Sequence, residues 1–357
     1  MINVTQTFLP DQNEFQAILK TAWDNKWLTN RGQLVKELEY KLINFLGVNN
    51  LTLTTNGTLP IQIAIKSMGL EGEIITTPFS YVATTSSVVW ENCTPVFVDI
   101  DEDFFTIDEN KIASAITSKT SAILATHVFG NPCNIEAIEK IAHKHNIKVI
   151  YDAAHCFGVK YKGQSIFNYG DVSTCSFHAT KIFHTGEGGC WITNNDELQK
   201  SLFFHHNFGH DGPVDFYDVG INAKMSELQA AMGLAVFKHL DEIFQAREKV
   251  VDSYKKFLAG TSLKMIKLRP GTDWNFHYFP VVFESESQLL RVKQVLNDHA
   301  INPRRYFYPS LNTLKYVSYQ KMPVSEKIAS TILCLPNYVG LAGKDLKRIT
   351  DLIKMSL

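Results

Sequence analysis

A chain of 357 residues is too long for one small core and is expected to fold as one large domain with a smaller one. Its hydrophobic content of 45% and charged content of 20% are ordinary for a globular protein, and a formal net charge of -1 excludes a bulk pull toward nucleic acid or anionic membrane. The six cysteines are scattered without a CxxC, the start lacks a basic and apolar leader pattern, and no stretch approaches the ~20 apolar residues that span a bilayer; the expectation is a reduced, cytoplasmic protein with no disulfides and no metal set.

The first helical pattern covers 34–46 (LVKELEYKLINFL), with Leu34, Leu38, Leu42 and Phe45 at helical spacing. Strand-like and helical runs then alternate. LTLTT (51–55) precedes a helix with Ile61, Ile65 and Met68 on one face, and EIITTP (73–78) precedes YVATTSSVVWEN. TPVFVDI (94–100), SAILATH (121–127), KVIYDAA (148–154) and DVSTCSF (171–177) continue the series. Between them IEAIEKIAHKHN (135–146) aligns Ile135, Ile138 and Ile141 and sets Glu136 and Lys140 at i,i+4 for an ion pair. This alternation predicts an α/β domain around a mostly parallel sheet. One long helix is expected from about Met225 to Val250. The remainder is expected to form a smaller α+β unit: a strand over 274–283 (WNFHYFPVVF), a helix near 287–299, a strand over 331–336 and a closing helix near 343–355. The division is placed between 1–245 and 246–357.

Parallel sheets bind ligands outside the carboxyl ends of their strands, and the unusual polar clusters all fall there. In TTNGTLPIQ (54–62), Gly57 and Thr58 precede a helix with Pro60 in its first turn, a place for a phosphate or for an ordinary capped turn. Asp152 follows Val149, Ile150 and Tyr151; its carboxylate can pair with a cationic heterocycle or cap the next segment. His155 is equally open between a structural and a chemical role. SFHATKIFHTGEGG (176–189) sets Ser176 and His178 at a strand end, Lys181 just beyond, and Gly186, Gly188 and Gly189 before the strand CWIT. A lone loop lysine is a solvated ammonium in most proteins. Together, however, a phosphate cup, a carboxylate for a ring nitrogen, the aromatic face of Tyr81 and a lysine amine are what pyridoxal phosphate requires.

These stretches, with WLTNRGQLVKELE (27–39), PFSYVAT, GINAKMSELQAA (220–231) and LPNYVGL (335–341), make the chain resemble the DegT-type nucleotide-sugar aminotransferases nearly end to end. The resemblance implies the fold type I architecture of aspartate aminotransferase and pyridoxal 5'-phosphate (PLP/PMP) held by Lys181 as a Schiff base. It also implies Asp152 at the ring nitrogen, Gly57, Thr58 and Ser176 at the phosphate, Tyr81 stacked on the ring and His155 near the ring hydroxyl. Family members are homodimers with shared sites, which implies that Asn222 reaches the phosphate of the neighbouring subunit. HATKIFHTGEGG, with His184 and Glu187, looks like the branch that aminates C4 of the sugar rather than the LGA-GDGG version. The implied reactants are therefore a dTDP-linked 4-keto-6-deoxyhexose, the gluco form foremost, and L-glutamate.

Arg304 and Arg305 are candidate diphosphate contacts, with a solvated pair as the plain alternative. Tyr308 and Asn312 are further substrate candidates, and Asn312 stands where many members carry a histidine. A C3-aminotransferase acting on a 3-keto sugar nucleotide and a non-catalytic PLP-binding regulator of the same fold are the alternatives. Lys181 argues against a sugar dehydratase, in which histidine takes its place.

Overall fold

The computed structural model describes the whole chain, Met1–Leu357. Seven strands carry the site: β1 (Asn50–Thr54), β2 (Glu73–Thr76), β3 (Thr94–Phe97), β4 (Thr120–Thr126), β5 (Lys148–Asp152), β6 (Val172–Ser176) and β7 (Gly189–Thr193). They lie in the order β1-β7-β6-β5-β4-β2-β3. β2 to β6 are mutually parallel, and only β7 runs antiparallel, to both β1 and β6. The central strands are buried on both faces, which is why they read as near-continuous apolar runs such as Ala122–Ala125 and Val149–Tyr151.

The helix Gln33–Leu46 buries Leu34, Leu38 and Leu42 and stops at Gly47, whose φ of 63° suits a residue without a Cβ. The helices Leu59–Ser67, Val82–Trp90 and Ile135–His145 fall where the periodicity puts them. Glu136 does not pair with Lys140; it accepts from Tyr161 Oη at 3.1 Å and pairs with Lys162 on the neighbouring hairpin.

Two expectations change. The helix expected over 225–250 is two, Glu227–Phe237 and Leu240–Phe257. The turn between them is tied to the first helix of the chain, since Lys238 Nζ and His239 Nε2 each lie 2.9 Å from the Glu14 carboxylate. The strand expected over 274–283 shrinks to Phe279–Val282. The preceding residues turn inward instead: Trp274 Nε1 donates to Phe129 O at 2.8 Å, and Asn275 Nδ2 donates to His155 O and Phe157 O at 2.8 and 3.0 Å.

The small unit is a three-stranded antiparallel sheet of Lys264–Met265, Phe279–Val282 and Ile332–Leu335, covered by the helices Glu286–Asp298 and Gly343–Ser356. The helix Leu240–Phe257 links the two units. Its Leu240 and Ile243 pack in the core of the large unit, and its Val250, Val251 and Tyr254 in that of the small one. Residues 245/246 thus lie inside a continuous helix.

Two further ties join the units. The strand Ile2–Asn3 pairs in parallel with Ile301–Asn302. The Asp99 carboxylate accepts from Val324 N, Ser325 N and Ser325 Oγ at 2.9, 2.8 and 2.6 Å, satisfying free donors at the start of the helix Pro323–Thr331. All six cysteines are buried and unpaired. No helix is long and apolar enough to cross a membrane.

Candidate active site

A cavity of ≈ 360 Å³ opens where β1, β5 and β6 end, and residues of the small unit close it from the other side. Asp152, the last residue of β5, lies in its wall with 5% exposure. Its Oδ2 accepts from Thr84 Oγ1 at 2.6 Å, and its Oδ1 accepts from Ala154 N at 3.1 Å. Because Thr84 gives its one hydroxyl proton to the carboxylate, its contact with Ser80 Oγ at 2.7 Å has Ser80 as donor. Thr126 Oγ1 donates in turn to Ser80 at 3.0 Å. Three hydroxyls thus point in series toward Asp152. Burial raises its pKa, with Thr84, Ala154 and Lys181 opposing the shift. The group is a desolvated carboxylate with no salt-bridge partner in its own chain, and a cation in the cavity would stabilise it.

Lys181 is set by the tight loop after β6. There Phe177 N donates to Gly188 O at 2.8 Å, Ala179 N to Gly186 O at 2.7 Å and Lys181 N to His178 O at 2.8 Å. Burial lowers the ammonium pKa to about 8, with Asp152 working in the opposite direction. Its Nζ stands 6.0 Å from the ring centroid of Tyr278. An amine with this shift is partly neutral near pH 7, as a nucleophilic lysine must be.

The TTNGT turn is a capped turn that also borders the cavity. Asn56 Oδ1 accepts from Thr58 N and Leu59 N at 2.9 and 3.0 Å, so these amides are capped internally. Gly57 and Thr58 nevertheless line the cavity beside Ser176. A Cβ on Gly57 would sit 2.6 Å from Ser176 Cβ, so glycine is what lets this turn lie against the end of β6. Tyr81, at the entry to the helix Val82–Trp90, lines the same space and is 52% exposed.

His155 is buried, which holds its pKa well below the usual histidine range. Its Nδ1 accepts from Phe129 N at 3.2 Å, so the neutral ring carries its proton on Nε2. These groups fit pyridoxal phosphate: an amine, an uncompensated carboxylate, and a turn held close by glycine with hydroxyls around it.

Not every anticipated residue comes to the cavity. Glu187 and Arg304 line it. His184 is buried elsewhere, where its Nδ1 accepts from Gly186 N and its Nε2 contacts Phe8 O at 2.6 Å, so it fastens the N-terminal arm. Arg305 turns away to Glu286 Oε1 at 2.6 Å and Ser330 O at 3.0 Å, and its guanidinium lies 3.5 Å over the ring of Tyr308, which is exposed on the loop. Asn312 is fully buried and satisfied by Ser310 Oγ and Gln320 O of its own segment and by Glu326 Oε1 of the helix Pro323–Thr331, at 2.6, 2.7 and 2.7 Å. Asn222 is exposed, accepts from Lys224 Nζ at 2.8 Å and does not line the cavity of its own chain.

The structure also adds residues that were not anticipated: Ser80, Thr126, Thr180, Tyr278, Tyr306 and Phe307 line the cavity, and Thr84 stands behind Asp152. The hydroxyl-rich run SYVATTSS was a usable signal for Ser80 and Thr84. Tyr278 and Tyr306 had none, because only the chain's return through the small unit places them there.

Residues 10–354 match the model of the DegT/DnrJ/EryC1/StrS aminotransferase family. The chain is 40% identical over 360 residues to the dTDP-4-amino-4,6-dideoxy-D-glucose transaminase of Shigella dysenteriae, covering 99% of this chain and 98% of that protein. It is 39% identical over 367 residues to the Escherichia coli protein of the same name, covering 99% and 98%. Among solved structures it superposes on DesI, determined in the presence of its TDP-sugar product, with a TM-score of 0.94 at 31% identity, covering 99% of this chain and 92% of that one. The chain therefore belongs to the DegT/DnrJ/EryC1/StrS aminotransferase family, with the fold type I architecture and pyridoxal phosphate as cofactor.

Proposed function

We propose that this aminotransferase converts a dTDP-4-keto-6-deoxyhexose, foremost dTDP-4-keto-6-deoxy-D-glucose, to the 4-amino-4,6-dideoxy sugar nucleotide, with L-glutamate as amino donor. One observation carries the chemistry: a lysine lowered to about 8 and a buried carboxylate without a salt-bridge partner share one cavity. The names of the two relatives near 40% identity support the substrate.

When bound, the cofactor supplies an electron sink through its protonated ring. Gly57, Thr58 and Ser176 would hold its phosphate, and Tyr81 would supply an aromatic face. Asp152 maintains the ring's positive charge, and the series Thr126, Ser80 and Thr84 keeps that carboxylate ionised. His155 presents a neutral Nε2–H donor. Lys181 would hold the cofactor, and its Nζ would carry a proton to and from the reacting substrate carbon. Arg304 offers a guanidinium to the diphosphate.

The enzyme works as a cytoplasmic homodimer in this reading, with Asn222 completing the phosphate site of its partner. The exposed Phe208, Phe216, Tyr217, Val219 and Ile221 around Asn222 support an apolar contact there. The test is incubation of purified protein with glutamate and, separately, 4-keto and 3-keto sugar nucleotides, locating the new amine by NMR. Nitrogen at C4 with release of 2-oxoglutarate is expected. Nitrogen at C3 would overturn the regiochemistry, and no amine with any keto sugar would overturn the assignment.

A further inference from the structure

We propose that His178 and Glu187 form a clamp for one hydroxyl of the sugar, the one on the carbon beside the reacting ketone; the proposal rests on the sugar aminotransferase reading above. Both residues line the cavity with Lys181. The His178 Nδ1 accepts from Thr180 N at 3.2 Å and lies 2.8 Å from Thr180 Oγ1. With Nδ1 occupied as an acceptor, the neutral ring carries its proton on Nε2. That Nε2 faces Glu187 Oε1 across 3.7 Å.

This separation is beyond the ~2.7–3.2 Å of a hydrogen bond, so with a neutral ring the two groups are neighbours without a direct hydrogen bond. A hydroxyl oxygen at the open side of the pair, ~2.8 Å from each atom, accepts from Nε2–H and donates to the carboxylate, using both capacities of an alcohol at once. Neither a ketone nor an ether can do so. The backbone on each side is held: Glu187 O accepts from Thr185 Oγ1 and Gln229 Nε2 at 2.6 and 2.7 Å, and Thr180 fixes the imidazole plane. The side chains themselves are open, 46% and 63% exposed, so a ligand can reach them.

The clamp also sorts the two substrates that share the cavity. Glutamate carries two carboxylates and no hydroxyl, so the Glu187 carboxylate repels it, whereas a deoxyhexose gains a hydrogen bond to a charged group. His178 and Glu187 are accordingly specificity residues that favour the sugar acceptor over glutamate.

The two half-reactions separate the possibilities, each followed in single turnovers by cofactor absorbance. In Glu187→Gln and in His178→Gln, kcat/KM for the sugar half-reaction should fall about 10- to 100-fold, whereas the glutamate half-reaction should not fall in parallel and should rise in Glu187→Gln, where the repelling charge is gone. A sugar nucleotide lacking the hydroxyl beside the ketone should lose a similar factor with the unaltered protein and lose no more with Glu187→Gln. Calorimetry of the amino-sugar product on cofactor-free protein should show the same weakening. Equal losses in both half-reactions, or losses that multiply when analogue and variant are combined, would overturn the clamp. If the unaltered protein fails to react with glutamate, the donor assignment falls, and if it aminates no keto sugar nucleotide the proposed function falls; if it reacts and the variants match it with the sugar, only the clamp falls.

Discussion

Replacing Thr84 with valine keeps the shape of the side chain and removes the hydroxyl that donates to Asp152 Oδ2 at 2.6 Å. It also removes the acceptor of Ser80, so the series from Thr126 no longer reaches the carboxylate. A hydrogen bond to a charged group is worth about 1.5–3 kcal/mol, which at ~1.36 kcal/mol per unit is a rise of about 1–2 units in the Asp152 pKa. Burial already holds that pKa above the ordinary value, so the loss adds to an existing strain on the charged form. The sign follows directly: the carboxylate exists above its pKa and is lost as pH falls through it. The acid limb of kcat should therefore move upward by about 1–2 pH units in Thr84→Val, while turnover on the alkaline side is largely kept. The assay is transamination from about pH 5 to 9 at saturating cofactor and substrates, with Thr84→Ser as the variant that keeps the hydroxyl. An acid limb that stays in place in Thr84→Val, or moves as far in Thr84→Ser, would refute the idea that these hydroxyls maintain the charge.

Lys181 should capture pyridoxal phosphate into cofactor-free protein at a rate that rises with pH and levels off above about 8, because the neutral amine is the attacking form and burial lowers its pKa to that value. A rate that keeps climbing toward the ~10.4 of an ordinary lysine would contradict this, as would borohydride fixing the cofactor at any other residue. Gly57→Ala places a Cβ 2.6 Å from Ser176 Cβ and 2.9 Å from its Cα, an overpacking cost of about 1–3 kcal/mol; if that cost falls on the loaded site, cofactor affinity measured by fluorescence should drop about 5- to 150-fold. Mixed subunits carrying Lys181→Ala and Asn222→Ala, each inactive alone, should regain activity through one intact site per heterodimer; no recovery would place Asn222 outside the partner's site.

The large unit was legible because its signals are local. Buried parallel strands announce themselves as short apolar runs, and Asp152, Lys181 and Gly57 each sit just past one. What escaped depended on distant parts of the chain. The break at Lys238 and His239 coincides with their contact to Glu14, and residues 274–278 leave the strand pattern to bond His155, Phe157 and Phe129. The choice between the two histidines of the Lys181 loop was misjudged for the same reason. His178 and His184 look alike in sequence, yet one opens on the cavity and the other is buried against Phe8 by an arm that arrives from the start of the chain. Arg304 and Arg305 divide in the same way, one at the cavity and the other satisfied by Glu286.

The pairing of Ile2–Asn3 with Ile301–Asn302 ties the start of the polypeptide to the small unit. A chimaera cut once within the helix Leu240–Phe257 would carry over Tyr278, Arg304 and Tyr306 from a donor but leave the terminal strand behind, unmatched to its new neighbour. Exchange of a cavity wall between relatives therefore needs two crossovers, one just after the terminal strand and one within the linking helix, and the transplanted piece must also bring a helix start that Asp99 can cap. Recombination that respects these joints can pass acceptor preference from one enzyme to another while Lys181 and Asp152 stay where they are.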